Sequence, residues 1–180
     1  MKKTLTLIAF APVVAFGQSL VSQSPQNRTA LLEDFTGIHC GYCPEGHVIA
    51  ADLEALHRPD MVTVGVHAGT FAVPGAGEPD FRTFFGDSIN SYFGVNSYPA
   101  GVINRHLFNG VASQGRGAWE GAVTDMLALP SPVNIGMESS FDAGTRDLTV
   151  TVELLYTANS PGGDDYITVL LQESHIIGPQ

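Results

Sequence analysis

Cys40 and Cys43 are the only cysteines of the chain and lie two residues apart in the stretch "FTGIHCGYCPEGH", Phe35 to His47. His39 precedes the pair and His47 follows it. Three chemistries can use such a segment: thiol–disulfide exchange, metal coordination, or a plain crosslink. As a crosslink, C-x-x-C closes a very small loop and restricts the unfolded chain little. As a metal site, His39, Cys40, Cys43 and His47 offer two sulfurs and two imidazoles in one segment. A structural zinc site usually draws on two separated segments, and no second cysteine pair or H-x3-H follows, so His67 or His106 would have to help. Copper is the alternative ion for an exported chain. Haem attachment needs a histidine directly after Cys43, where Pro44 stands. Exchange is the favoured reading, with no metal and no cofactor.

The pattern around the pair supplies the elements that position it. "TALLEDF", Thr29 to Phe35, is a short apolar run that reads as a buried strand and ends just before the cysteines. Val48, Ile49, Leu53 and Leu56 recur at helical spacing between Pro44 and His57, and proline suits the first turn of a helix. "MVTVGVHA", Met61 to Ala68, reads as a second buried strand. A Gly/Pro loop follows. Phe81, Phe84, Phe85, Ile89, Tyr92 and Phe93 then mark one face of a helix that Pro79 could start and Gly94 could end, and this face is expected in the core. "AGVINRHLF", Ala100 to Phe108, reads as a third strand with a turn at Asn109-Gly110. Trp119, Val123, Met126 and Leu127 give a last helix before Pro130.

The order is strand, C-x-x-C, helix, strand, helix, strand, helix. It places Cys40 at a helix N-terminus, where unpaired N–H groups and the positive helix end stabilise a thiolate. A stabilised thiolate attacks disulfides and also leaves well. Cys40 is therefore the expected nucleophile, and Cys43, one turn along, resolves the mixed disulfide.

"DFTGIHCGYC" resembles the thioredoxin motif, in which an Asp-Phe pair leads to the cysteines by the same interval. "YFGVNSYPAGVINRHLFNG" resembles the thioredoxin run from Tyr-Gly-Val through a cis-proline to a strand. This resemblance covers about Thr29 to Leu129. With "LLEDFTG" and the β-rich C-terminal part, the chain also resembles the outer-membrane-protein-28-related family of exported bacterial proteins. The thioredoxin resemblance implies that Asp34 sits behind the cysteines and takes the proton of Cys43. Glu33 would point the other way. It also implies that Pro99 is a cis residue opposite the cysteines, beside backbone that pairs with a bound substrate strand. Two positions depart from the thioredoxin pattern. His39 replaces the usual tryptophan, and Gly41-Tyr42 replaces Gly-Pro, which leaves the direction of exchange open.

The chain as a whole sets the compartment and the partners. Lys2 and Lys3, the apolar stretch Leu5–Phe16 and the small residues Ala15 and Gly17 form a signal peptide over residues 1–17. Export favours a disulfide over zinc at a cysteine pair. Removing two lysines takes the formal net charge from −10 to −12. Such acidity argues against nucleic acid and anionic membrane surfaces as partners. Residues 18–25 read as a flexible leader and residues 26–129 as the thioredoxin-like domain. Residues 130–180 alternate apolar and polar residues and read as a partial antiparallel β-sandwich-like module. Its three strands are expected at Val133–Met137, Leu148–Tyr156 and Tyr166–Glu173. Three strands leave open edges, so the module reads as incomplete. The fold class is α/β, periplasmic or outer-membrane-associated. The expected activity is exchange with protein thiols or disulfides, reset by a redox partner, through Cys40, Cys43, Asp34 and Pro99. The rival reading is a non-enzymatic envelope protein whose β module binds a partner. "GAG" and "GRG" are weak glycine patterns, and neither reads from the sequence as the turn from a strand into a phosphate-binding helix.

Overall fold

A computed structural model describes residues 19–160 and 162–179. The expected signal peptide, residues 1–17, lies outside the described residues. The structure is mixed α/β, with three α-helices and two sheets.

The first sheet contains β1 (Ala30–Thr36), β2 (Met61–His67), β3 (Ala100–Ile103) and β4 (Ser113–Gly115) in the order β2-β1-β3-β4. β1 and β2 run parallel, joined over α1 (Cys43–His57). β3 and β4 add antiparallel on the other side of β1. Side chains alternate across β1, as the two-residue period of a strand requires. Ala30 and Leu32 enter a core with Ala50 and Leu53 of α1 and with Trp119, Val123 and Met126 of α3 (Trp119–Leu127). Phe35 faces the opposite core with Val66, Ala100 and Val102, against Ile89 and Phe93 in and just after α2 (Phe84–Tyr92). Helices therefore cover both faces of the sheet, and β1 is buried except at half-buried Leu31.

Several expected elements differ. The third strand stops at Ile103, not Phe108, because Asn104 and Arg105 take left-handed φ values of 48° and 52°. Asn104 then closes the strand end, accepting from the Leu31 N–H and donating to the Thr29 carbonyl. The Asn109-Gly110 turn forms, with positive φ at both residues, and the chain returns as β4. β4 was not legible in the sequence, since "SQG" has no apolar alternation. α2 starts at Phe84, capped by the Thr83 hydroxyl, which accepts from the Gly86 N–H. Its expected apolar face is only partly in the core: Phe84, Phe85 and Tyr92 are exposed, while Ile89 and Phe93 pack inward.

The second sheet is a single hairpin of β5 (Val133–Asp142) and β6 (Asp147–Tyr156). The expected third strand at Tyr166–Glu173 is absent, and residues 162–179 carry no strand. Alternating apolar residues are compatible with a strand, but a strand also needs a partner for its backbone groups. The polar residues of the expected leader run along this hairpin. Asn134 donates to the Ser22 and Ser24 carbonyls at 2.8 and 2.7 Å, and Glu153 accepts from Ser19 Oγ and the Leu20 N–H. Gly136 permits this approach, because a Cβ there would collide with the Leu20 carbonyl.

Candidate active site

The segment between β1 and α1 is fixed by the loop after β2. The Ala68 N–H donates to the Thr36 carbonyl, and the His39 N–H donates to the Phe71 carbonyl at 2.9 Å. Gly37 faces Phe71 and Ala72 so closely that a Cβ would lie 2.5 Å from the Ala72 nitrogen. The Cys40 N–H donates to the Gly37 carbonyl, which turns the chain into the helix. α1 then begins at Cys43 with Pro44 in its first turn and no side-chain cap.

Cys40 and Cys43 form a disulfide with a Cα–Cα distance of 5.4 Å. Cys40 is 4% exposed and Cys43 is fully buried. The rim around them is partly aromatic, since Tyr42 and Phe71 are exposed. Arg116 lies over the Tyr42 ring at 5.5 Å and pairs with Glu45 at 2.8 Å. The His39 side chain is engaged by Glu78, with Nε2 2.9 Å from Glu78 Oε2.

Pro99 lies against the same helix. The Tyr98–Pro99 peptide bond is cis. The ring packs on Gly46, where a Cβ would stand 2.8 Å from Pro99 Cγ. Tyr98 anchors this loop: its hydroxyl donates to Asn90 Oδ1 at 2.6 Å, and its ring meets Phe71 edge-on at 5.8 Å. The loops carrying Pro99 and Phe71 are thus joined on the side of α1 where the cysteines lie.

Asp34 is 2% exposed, in the middle of β1 under α1. Its two neighbours across the sheet are both glycines, Gly65 on β2 and Gly101 on β3. On the Gly101 side the space is filled by Trp119 and Leu32. On the Gly65 side a Cβ would meet nothing within 4 Å. A cleft of about 290 Å3 opens there, lined by Asp34, Thr36, His47, Glu54, Thr63 and His67 among others. Asp34 Oδ1 has no hydrogen-bond partner, and Oδ2 lies 3.6 Å from His47 Nε2. Burial raises the Asp34 pKa from 3.8 to about 7. Burial lowers the pKa of His47, so the imidazole is held toward its neutral form and does little to offset the carboxylate. His67 is lowered by burial first and by His47 second.

Glu33 does point the other way. It is buried and held bidentately by Arg105, with Nε to Oε2 at 3.0 Å and Nη2 to Oε1 at 2.8 Å. This geometry is the strong form of a carboxylate pair. Sequence reasoning did not find Arg105 or Gly65. It named His47 only as a candidate metal ligand. The available signal was spacing: His47 is four residues after Cys43, hence on the same helix face.

Among the described residues no group of three or more His, Cys, Asp or Glu is arranged to hold a metal ion. Among the same residues no helix is long and apolar enough to cross a membrane. The chain matches no model of a protein family, and no curated protein matches it significantly. The arrangement itself is a C-x-x-C disulfide at the start of a helix, consistent with a redox motif.

Proposed function

We propose that the chain is an exported thioredoxin-like protein that exchanges thiols and disulfides with envelope or secreted proteins. The observation that carries this reading is the Cys40–Cys43 disulfide at the first turn of α1, with Asp34 buried in the strand beneath that helix. The sheet order, with a parallel β1–α1–β2 unit followed by antiparallel β3 and β4, agrees with the thioredoxin resemblance. The export part rests on Lys2, Lys3, the apolar run and the cleavage pattern, and a disulfide suits an oxidising compartment. Membership of the outer-membrane-protein-28-related family belongs to the same proposal and rests on the motifs alone.

In the reduced protein the Cys40 thiolate attacks a substrate disulfide. The Cys40–substrate bond forms, the substrate bond breaks, and one substrate sulfur leaves with the electron pair. Cys43 then gives its proton to Asp34 and attacks Cys40 Sγ. The Cys40–Cys43 bond forms and the second substrate sulfur leaves. The substrate gains two electrons and the protein loses two. Run backwards, the same steps oxidise a substrate dithiol. Pro99, against Gly46, borders the site and would help hold the substrate chain.

The rival reading keeps the αβ part as a scaffold. It is favoured by the hairpin, where Ile135, Met137 and Phe141 of β5 are exposed on one face. Such a face suits a binding partner. The rate of Cys40 alkylation against pH in the reduced protein separates the two. An apparent thiol pKa well below ~8.5 is expected for exchange, and Cys40→Ser then abolishes it. A value at or above ~8.5 means an inert pair and turns the search to a partner of the hairpin.

A further inference from the structure

We propose that His47 is the proton outlet of Asp34, passing the proton taken from Cys43 to solvent through the cleft beside β2; this rests on the exchange reading above. At 2% exposure the Asp34 carboxylate has little direct contact with bulk water. Its Oδ1 faces no partner, and Oδ2 has His47 Nε2 at 3.6 Å. That distance is slightly beyond a direct hydrogen bond and closes with a small ring movement or one bridging water. The ring is steered by Thr36 Oγ1, 2.9 Å from the same nitrogen. The imidazole is partly exposed, at 36%. It therefore bridges the buried carboxylate and the open cleft that Gly65 leaves. Cys43 and His47 are spaced by one helical turn, so donor and outlet share the face of α1 turned to β1.

The step balances. With Nδ1 protonated, Nε2 accepts the proton from the Asp34 carboxyl, which returns to carboxylate. The imidazolium then releases the Nδ1 proton to water, and no electrons move. The other groups facing this pair are Glu54 from α1, Thr63 and His67 from β2, and Gln172 from the C-terminal segment. His67 is engaged edge-on with Phe81 at 5.2 Å. Burial raises the proton affinity of Asp34 and lowers that of His47, so a proton that reaches His47 is readily given up to water.

The test uses single-turnover exchange between the reduced protein and a disulfide-linked peptide, acid-quenched at intervals and resolved by mass. Loss of the first peptide half reports attack by Cys40. Loss of the mixed disulfide reports resolution by Cys43. In His47→Gln, which keeps a polar side chain near Thr36 without titrating, attack is unchanged. Resolution slows by about tenfold or more and loses part of its pH dependence. In His47→Ala, added imidazole restores resolution. If both variants resolve at the wild-type rate across pH, or imidazole fails to restore the alanine variant, the outlet is overturned. If the wild type forms no mixed disulfide, the exchange reading itself fails. Adding His47→Gln to Asp34→Asn should slow resolution no further than Asp34→Asn alone; a further slowing overturns a shared path.

Discussion

Replacing Asp34 by asparagine should make the protein more stable at neutral and alkaline pH. The carboxyl has its pKa raised from 3.8 to about 7 because burial disfavours the charge. The folded state therefore binds this proton more tightly than the unfolded chain. Stability from this group is fully present below about pH 4 and is lost as pH rises through about 7. The rise is about 3 pH units, and at ~1.36 kcal/mol per unit it amounts to ~4 kcal/mol. Water entering the cleft lowers the effective penalty, so ~2–4 kcal/mol is the expected range. Asparagine has nearly the same shape and carries no charge at any pH. Urea unfolding of wild type and Asp34→Asn, disulfide intact, at about pH 4 and about pH 8 measures the difference. Other carboxylates titrate in both proteins and cancel. The variant should match the wild type at the lower pH and unfold at ~1–2 M more urea at the higher one. An unchanged difference between the two pH values, or a less stable variant at the higher one, refutes a desolvated carboxyl at this position.

Two further substitutions test the frame around the site. Gly46→Ala would gain roughly 1 kcal/mol of helix propensity, but its methyl meets the Pro99 ring at 2.8 Å and Trp119 at 3.3 Å. Overpacking costs roughly 1–3 kcal/mol, so a net loss of stability in thermal unfolding is expected; a stabilised variant means that Pro99 does not sit on α1. Arg105→Ala leaves the buried Glu33 carboxylate unpaired and should cost roughly 3–5 kcal/mol at neutral pH. A loss under about 1 kcal/mol in urea unfolding would mean that the pair is only a surface contact.

Cys40 and Cys43 show how far local pattern reaches. The two-residue spacing, the apolar strand before it and Pro44 after it prescribe a disulfide-capable turn at a helix start. That is what forms, because turn, cap and periodicity are properties of a few neighbouring residues. Asn109-Gly110 is legible for the same reason, and so is the β5–β6 hairpin with its strict alternation. The Tyr166–Glu173 pattern looks equally regular and forms no strand, because a strand exists only when a partner takes its hydrogen bonds. The surroundings of Asp34 were beyond the sequence altogether. Register alone puts Gly65 and Gly101 on either side of it, packing alone fills one side with Trp119, and the open side alone lets His47 reach the carboxylate. Glu33 and Arg105 meet across 72 residues of chain, and nothing local to either predicts it. Local pattern is enough for β1, α1, β2, α3 and the β5–β6 hairpin, and for the residues that can do chemistry. The tertiary structure decided which of those residues meet and which are dry, because burial and long-range pairing, not spacing, fix the field that each side chain feels.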